Sequence, residues 1–228
     1  MVAMTSPYRL SIQQFIEHFR EQGQTIALVE SELQQKLLYC SALDPLARAV
    51  CPPDTKNRAR FLELLLNHTD WQDAERVSLF QLACHLRLKK RTRFRLYREA
   101  KRRLDQNPPR RRMPISKSPT FAEMVEYAAP NELDYLMKHR YAELFYTFRN
   151  NLIHEYREPG YGTDRSGRQT EPFYTNLSSF GGRELVFPIA FVAAIYEQAL
   201  ARVSDHLLAT KVSPHSKFKF GSHWRATT

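Results

Sequence analysis

The chain has 228 residues, 43% of them hydrophobic, which suits one domain with elaborations and a sizeable core. It holds no apolar run of about 18 residues, and its start lacks a basic-then-apolar pattern, so neither a membrane-spanning helix nor a signal peptide is expected. Three cysteines (Cys40, Cys51, Cys84), odd in number and without CxxC spacing, point to a reduced cytoplasmic protein rather than a disulfide scaffold.

The net charge is +10, and it is local. Between Arg87 and Arg112 stand thirteen basic residues against two acidic ones, Glu99 and Asp105, a net +11 that leaves −1 for the rest of the chain. A block of this kind attracts a polyanion, and phosphate contacts then give salt-dependent binding with little sequence reading. Lys89, Lys90, Arg91, Arg93, Arg95, Arg98, Lys101, Arg102 and Arg103 are the candidate polyanion contacts, with Phe94 and Tyr97 able to stack on bases if that polyanion is a nucleic acid. The alternative is a solvated basic helix. A membrane-surface role is disfavoured, because the segment has no continuous apolar face.

In chain order, Ile12, Phe15, Ile16 and Phe19 predict a short amphipathic helix over 11–22, ended by Gly23. A longer helix is predicted from Thr25 to about Val50, bent or restarted at Asp44-Pro45, followed by a turn at Cys51-Pro52-Pro53-Asp54. A helix through Phe61, Leu62, Leu65 and Leu66 comes next, then another over Asp70–Leu86, then a basic helix over Arg93–Leu104. Residues 107–119, with prolines at 108, 109, 114 and 119, read as a linker. Phe121–Ala129 predicts a short helix leading into a long one from about Asn131 to about Tyr156. Residues 160–182 are loop-rich, with short extended pieces at Phe173–Leu177 and Glu184–Phe187 that suggest a hairpin. That excursion either walls a cleft or is plain surface loop. Pro188 opens a final helix through Leu208, and residues 211–228 form a basic, aromatic tail. The expected organisation is a single all-α domain over 1–210, with the basic helix and linker at 87–119, a loop insertion at 158–187, and the tail beyond.

The late helix carries the most chemistry. Leu133, Met137, Tyr141, Leu144, Phe145, Phe148 and Leu152 form its apolar stripe, and a second, semi-apolar stripe runs through Ala142, Tyr146, Arg149 and Ile153. Off the first stripe lies Arg149-Asn150-x3-His154-x-Tyr156, closed by Pro159-Gly160. An arginine can hold a phosphodiester bidentately, and an imidazole can move a proton near neutral pH. Asn150 and His154 are i,i+4 neighbours, and Arg149 is about 7.5 Å along the axis from His154. An Arg and a His at this spacing arise often by chance on solvated helices. No ligand spacing such as HExxH is present, so no metal and no cofactor are expected.

Phe148-Arg149-Asn150-Asn151-Leu152-Ile153-His154-Glu155-Tyr156-Arg157, followed by Glu158-Pro159-Gly160-Tyr161-Gly162, resembles the HEPN superfamily (higher eukaryotes and prokaryotes nucleotide-binding domains). Tyr39-Cys40-Ser41-Ala42-Leu43-Asp44 with Asn57-Arg58-Ala59-Arg60-Phe61 adds to the likeness, which extends loosely over residues 25–210. The resemblance implies a helical bundle, usually a homodimer with a composite RNA cleft. It also implies a metal-independent endoribonuclease in which a ribose 2′-oxygen attacks the adjacent phosphate. His154 would be the general acid/base, Arg149 would stabilise the phosphorane charge, and Asn150 would orient phosphate or imidazole. Tyr156 matches a form found in HEPN toxins paired with nucleotidyltransferase antitoxins, where that tyrosine can be modified and silenced. The setting implied is toxin–antitoxin biology or antiviral defence. This chain departs from the compact toxins in its length, its basic middle and its insertion. Asp44 is an auxiliary candidate, a carboxylate able to pair with Arg149. The competing expectation is a non-catalytic RNA- or protein-binding module that works through residues 87–112.

Overall fold

A computed structural model describes residues 7–106, 112–160, 169–177 and 182–218. Nine α-helices and a three-stranded sheet occur among them, so the chain is mainly helical, as the apolar spacing predicts. None of these helices is long and apolar enough to cross a membrane. The chain divides into two compact units, Met1–Asp70 with Ala193–Thr228, and Trp71–Val192.

The first unit holds α1 (Pro7–Ala27), α2 (Glu32–Val50), α3 (Asn57–Asn67) and most of α9 (Ile189–Thr210). Ile12, Phe15, Ile16 and Phe19 are buried, as their spacing predicts. The expected stop at Gly23 is absent: α1 runs through it to Ala27. The glycine serves close packing instead, since a Cβ there would lie 2.8 Å from the Tyr196 ring of α9. Tyr196 donates its hydroxyl to the Phe19 carbonyl, and Tyr39 donates to Gly23 O at 3.2 Å. Ser31 caps α2, and Pro45 lies inside that helix without ending it. Beyond α9 the chain turns at Pro214–Lys217, where Ser213 bonds Ser11 at 2.7 Å and the Phe218 ring packs 6.0 Å from Phe15. The beginning of the tail is thus docked on α1; residues 219–228 lie outside the described part.

The second unit contains α4 (Leu79–Leu88), α5 (Arg95–Gln106), α6 (Phe121–Val125), α7 (Leu133–Met137), α8 (Tyr141–Glu155) and the first residues of α9. Its sheet has the order β1 (Arg112–Pro114), β2 (Phe173–Leu177), β3 (Gly182–Val186), all antiparallel. The hairpin expected in the insertion is therefore present, and it gains a third strand from a stretch the prolines had marked as linker. Two expected helices are shorter than their periodicity suggests, for one shared reason. Trp71–Ser78, predicted as helix, is turn and extended chain, and the predicted helix from Asn131 is broken at Lys138–Arg140. The two interruptions meet. Ser78 N–H donates to His139 O at 2.9 Å, Tyr141 N–H to Arg76 O at 3.0 Å and Ala142 N–H to Ala74 O at 2.9 Å, while Val77 N–H bonds Pro119 O at 2.8 Å. Backbone groups that local helix would have satisfied are satisfied across the chain instead.

Around this crossing, Tyr141 and Tyr174 are buried with hydroxyls bonded to Ser118 (2.7 Å) and Ser78 respectively. One apolar cluster joins Leu82, Leu86, Leu96, Met124 and Leu136 between α4, α5, α6 and α7. Another group of rings, Trp71, Phe145, Phe148, Phe187 and Phe191, packs α8 against the chain entering α9, with centroids 5.0–6.5 Å apart.

Candidate active site and nucleic-acid interface

Tyr141, Phe145, Phe148 and Leu152 anchor α8 through its apolar stripe, all of them buried. The stripe fails upstream of the break, where Met137 is exposed. Ala142 and Arg149 of the second stripe are also buried, and Tyr146 and Ile153 are half-buried. That face is thus largely covered within one chain.

Arg149 is 4% exposed, and its Nη1 donates to Asn150 Oδ1 at 2.8 Å. His154 lies in the last turn of α8 and is exposed, with no hydrogen bond or ion pair among the described residues. Five residues of helix put the two side chains about 140° apart round the axis. The burial agrees with that angle: Arg149 is turned into the protein while His154 faces solvent. Asn150 is half-buried beside Arg149 and accepts its hydrogen bond.

The helix ends at Glu155, at the expected end near Tyr156 and ahead of Pro159-Gly160. Tyr156 takes the left-handed conformation (φ 53°, ψ 35°), and its N–H bonds the Asn151 and Leu152 carbonyls. A tyrosine rarely adopts this conformation, which most helices reserve for glycine. Its side chain is 55% exposed. Asp44 is half-buried on α2 in the first unit, whereas Arg149 belongs to the second.

The basic segment forms a helical hairpin. α4 closes on Lys90 in the left-handed region (φ 56°), with Arg91 N–H returning to Leu86 O at 2.8 Å. Arg95–Gln106 then forms α5, within two residues of the predicted span. Its first amides are held from another element: Arg95 N–H and Leu96 N–H each donate to the buried Glu132 carboxylate at 3.0 Å. In its own segment Glu132 also accepts the Ala129 N–H, at 3.4 Å, just ahead of α7. Nothing in its local pattern reveals a cap for a helix more than thirty residues earlier.

The nine candidate cations separate into two groups. Lys101 pairs with Asp105 at 2.6 Å, and Arg102 and Arg103 both hold Glu99 at 2.6 Å. The hydrogen bond from Arg102, aided by Arg103, pulls the Glu99 carboxyl down to about 2. Lys89, Lys90, Arg91, Arg93, Arg95 and Arg98 are exposed and have no acidic partner among the described residues. Phe94 and Tyr97 are half-buried against the α4–α5–α7 core, and the Phe94 ring sits 5.8 Å from Tyr135. Beyond α5, Arg102 and Arg103 border a polar crevice of about 460 Å³ together with Arg76 and Lys117. Those last two cations come from separate segments, so no run of charge in the sequence marks them. Arg110 and Arg111 lie outside the described residues.

No family model, curated protein or solved structure matches this chain.

Proposed function

We propose that this protein is a metal-independent endoribonuclease of the HEPN type, cleaving RNA by attack of a ribose 2′-oxygen on the adjacent phosphodiester. The observation that carries the reading is the solvent-facing His154 imidazole at the C-terminal end of α8, five residues from Arg149, in a unit that also presents a band of exposed cations with no acidic partner among the described residues. His154 moves the proton of the attacking or leaving oxygen. Arg149, with Asn150 fixed on its guanidinium, stabilises negative charge on phosphorus. Lys89–Arg98 draws the RNA in through phosphate contacts. Since one chain turns Arg149 and His154 to different sides of α8, the reaction calls for a homodimer that completes the cleft. The exposed His154 end offers more free surface for that contact than the buried Ala142–Arg149 face. Toxin–antitoxin or antiviral defence, with a partner protein that silences the nuclease, is the setting the motif resemblance suggests, with Tyr156 as an accessible point of modification.

One observation favours a second reading. Arg149 is buried like a structural arginine, which suits a module that binds RNA through the α4–α5 hairpin without cutting it. Incubating the protein with structured RNA in EDTA, beside His154→Ala, decides between them. Cleavage by the wild type alone, leaving 2′,3′-cyclic phosphate ends, is the expected result. Equal, salt-sensitive RNA binding by both proteins with no cleavage would favour the binding module.

A further inference from the structure

Within the second unit, α8, the β-hairpin and the chain after the motif enclose a cavity of about 320 Å³. This lies at the small end of the range of about 300–1,000 Å³ that ligand sites occupy, which suits a one- or two-ring molecule. Most of its wall is apolar, and three of the side chains are phenyl rings: Phe80, Phe148 and Phe187, with Leu144 and Leu185 between them.

Into this wall β3 brings one cation. The Arg183 guanidinium lies 5.9 Å over the Phe80 ring, and among the described residues Nη1 meets only the weak acceptor Met113 Sδ, at 3.9 Å. It is half-buried, and no carboxylate pairs with it among the described residues. Burial lowers its pKa, the mark of a charge short of solvent. Removing a cation from water without a counter-ion is costly, and an anion arriving there restores the balance. Glu184, next on the strand, also borders the cavity, with its carboxylate beside Gly160. An anion is therefore favoured at Arg183 alone. Gln81 and Thr147 supply polar groups to orient a ligand.

We infer that this cavity binds a small aromatic carboxylate, its ring lying among Phe80, Phe148 and Phe187 and its carboxylate paired with Arg183. The inference is independent of any nuclease activity. It has a consequence for the motif nonetheless, because Thr147, Asn151 and His154 follow one another on a single face of α8.

Calorimetric titration of the full chain with 2-naphthoate tests the assignment, with 2-naphthamide as the uncharged probe. Saturable binding of the carboxylate is expected, with the amide weaker by about tenfold or more. Arg183→Met should bring the carboxylate down to the affinity of the amide. Thr147→Trp, at an exposed wall position that tolerates bulk, should block both. Absence of saturable naphthoate binding by the wild type overturns the inference, as does equal affinity for acid and amide. Those two comparisons use the native chain, so they stand even if Arg183→Met fails to fold.

Discussion

His139, in the bend between α7 and α8, donates from Nδ1 to the Tyr135 carbonyl at 2.6 Å, so its Nε2 accepts from His85 Nδ1 at 3.1 Å. That arrangement needs a neutral ring, and burial, with the nearby His85 and Lys138 charges, pulls its pKa from 6.5 down to about 4. The unfolded chain therefore binds this proton more tightly than the folded one. Stability is complete above pH 6.5 and falls as the pH drops towards 4, by up to about 3 kcal/mol. Urea unfolding measured across that window should show the decline, and His139→Gln should flatten most of it. Below the ordinary Glu value of 4.5 a further loss sets in as Glu99 surrenders its bonds to Arg102 and Arg103. An unchanged slope in His139→Gln would place the sensitivity elsewhere.

The basic helix depends on a carboxylate outside it. Glu132 accepts from the first amides of α5, which has no side-chain cap of its own, so Glu132→Gln should lower stability by about 1–2 kcal/mol and Glu132→Ala by more. Denaturant midpoints measure this, and an unaltered midpoint in both variants would contradict it. Elements with local signals were legible in the sequence. α5 announced itself by composition, the apolar stripe of α8 was readable from Tyr141 to Leu152, and the β2–β3 hairpin showed in its extended pieces. What escaped was set by distant partners. The 71–78 segment has helical spacing yet spends its amides on Pro119 and His139, and Gly23 looks like a stop until the Tyr196 ring is set beside it. In the candidate site the motif residues were legible by type, but their opposed burial was not. Periodicity placed Arg149 on a semi-apolar stripe without saying that one chain alone would cover it.

For the whole molecule, a charge of +10 would suggest attraction to any polyanion, but the cations are unequal. Six of the nine candidates stand without acids among the described residues, while Lys101, Arg102 and Arg103 already spend charge on Asp105 and Glu99. In RNA-binding titrations over a range of salt, Arg95→Ser and Arg98→Ser should each reduce the log–log slope by about 0.7–0.9. Lys101→Ser and Arg103→Ser should change it less. Equal slopes for all four would mean that the block acts as diffuse charge rather than as a defined surface.

The crossing that binds Arg76 and Ala74 to the first residues of α8 fixes where that helix begins. It therefore sets the helix's phase as well as its position. One residue inserted between Ala142 and Arg149 would leave the crossing intact while turning everything beyond it by about 100° and advancing it by about 1.5 Å. The extended segment thus acts as an index mark from which the bearings of Arg149 and His154 are both measured.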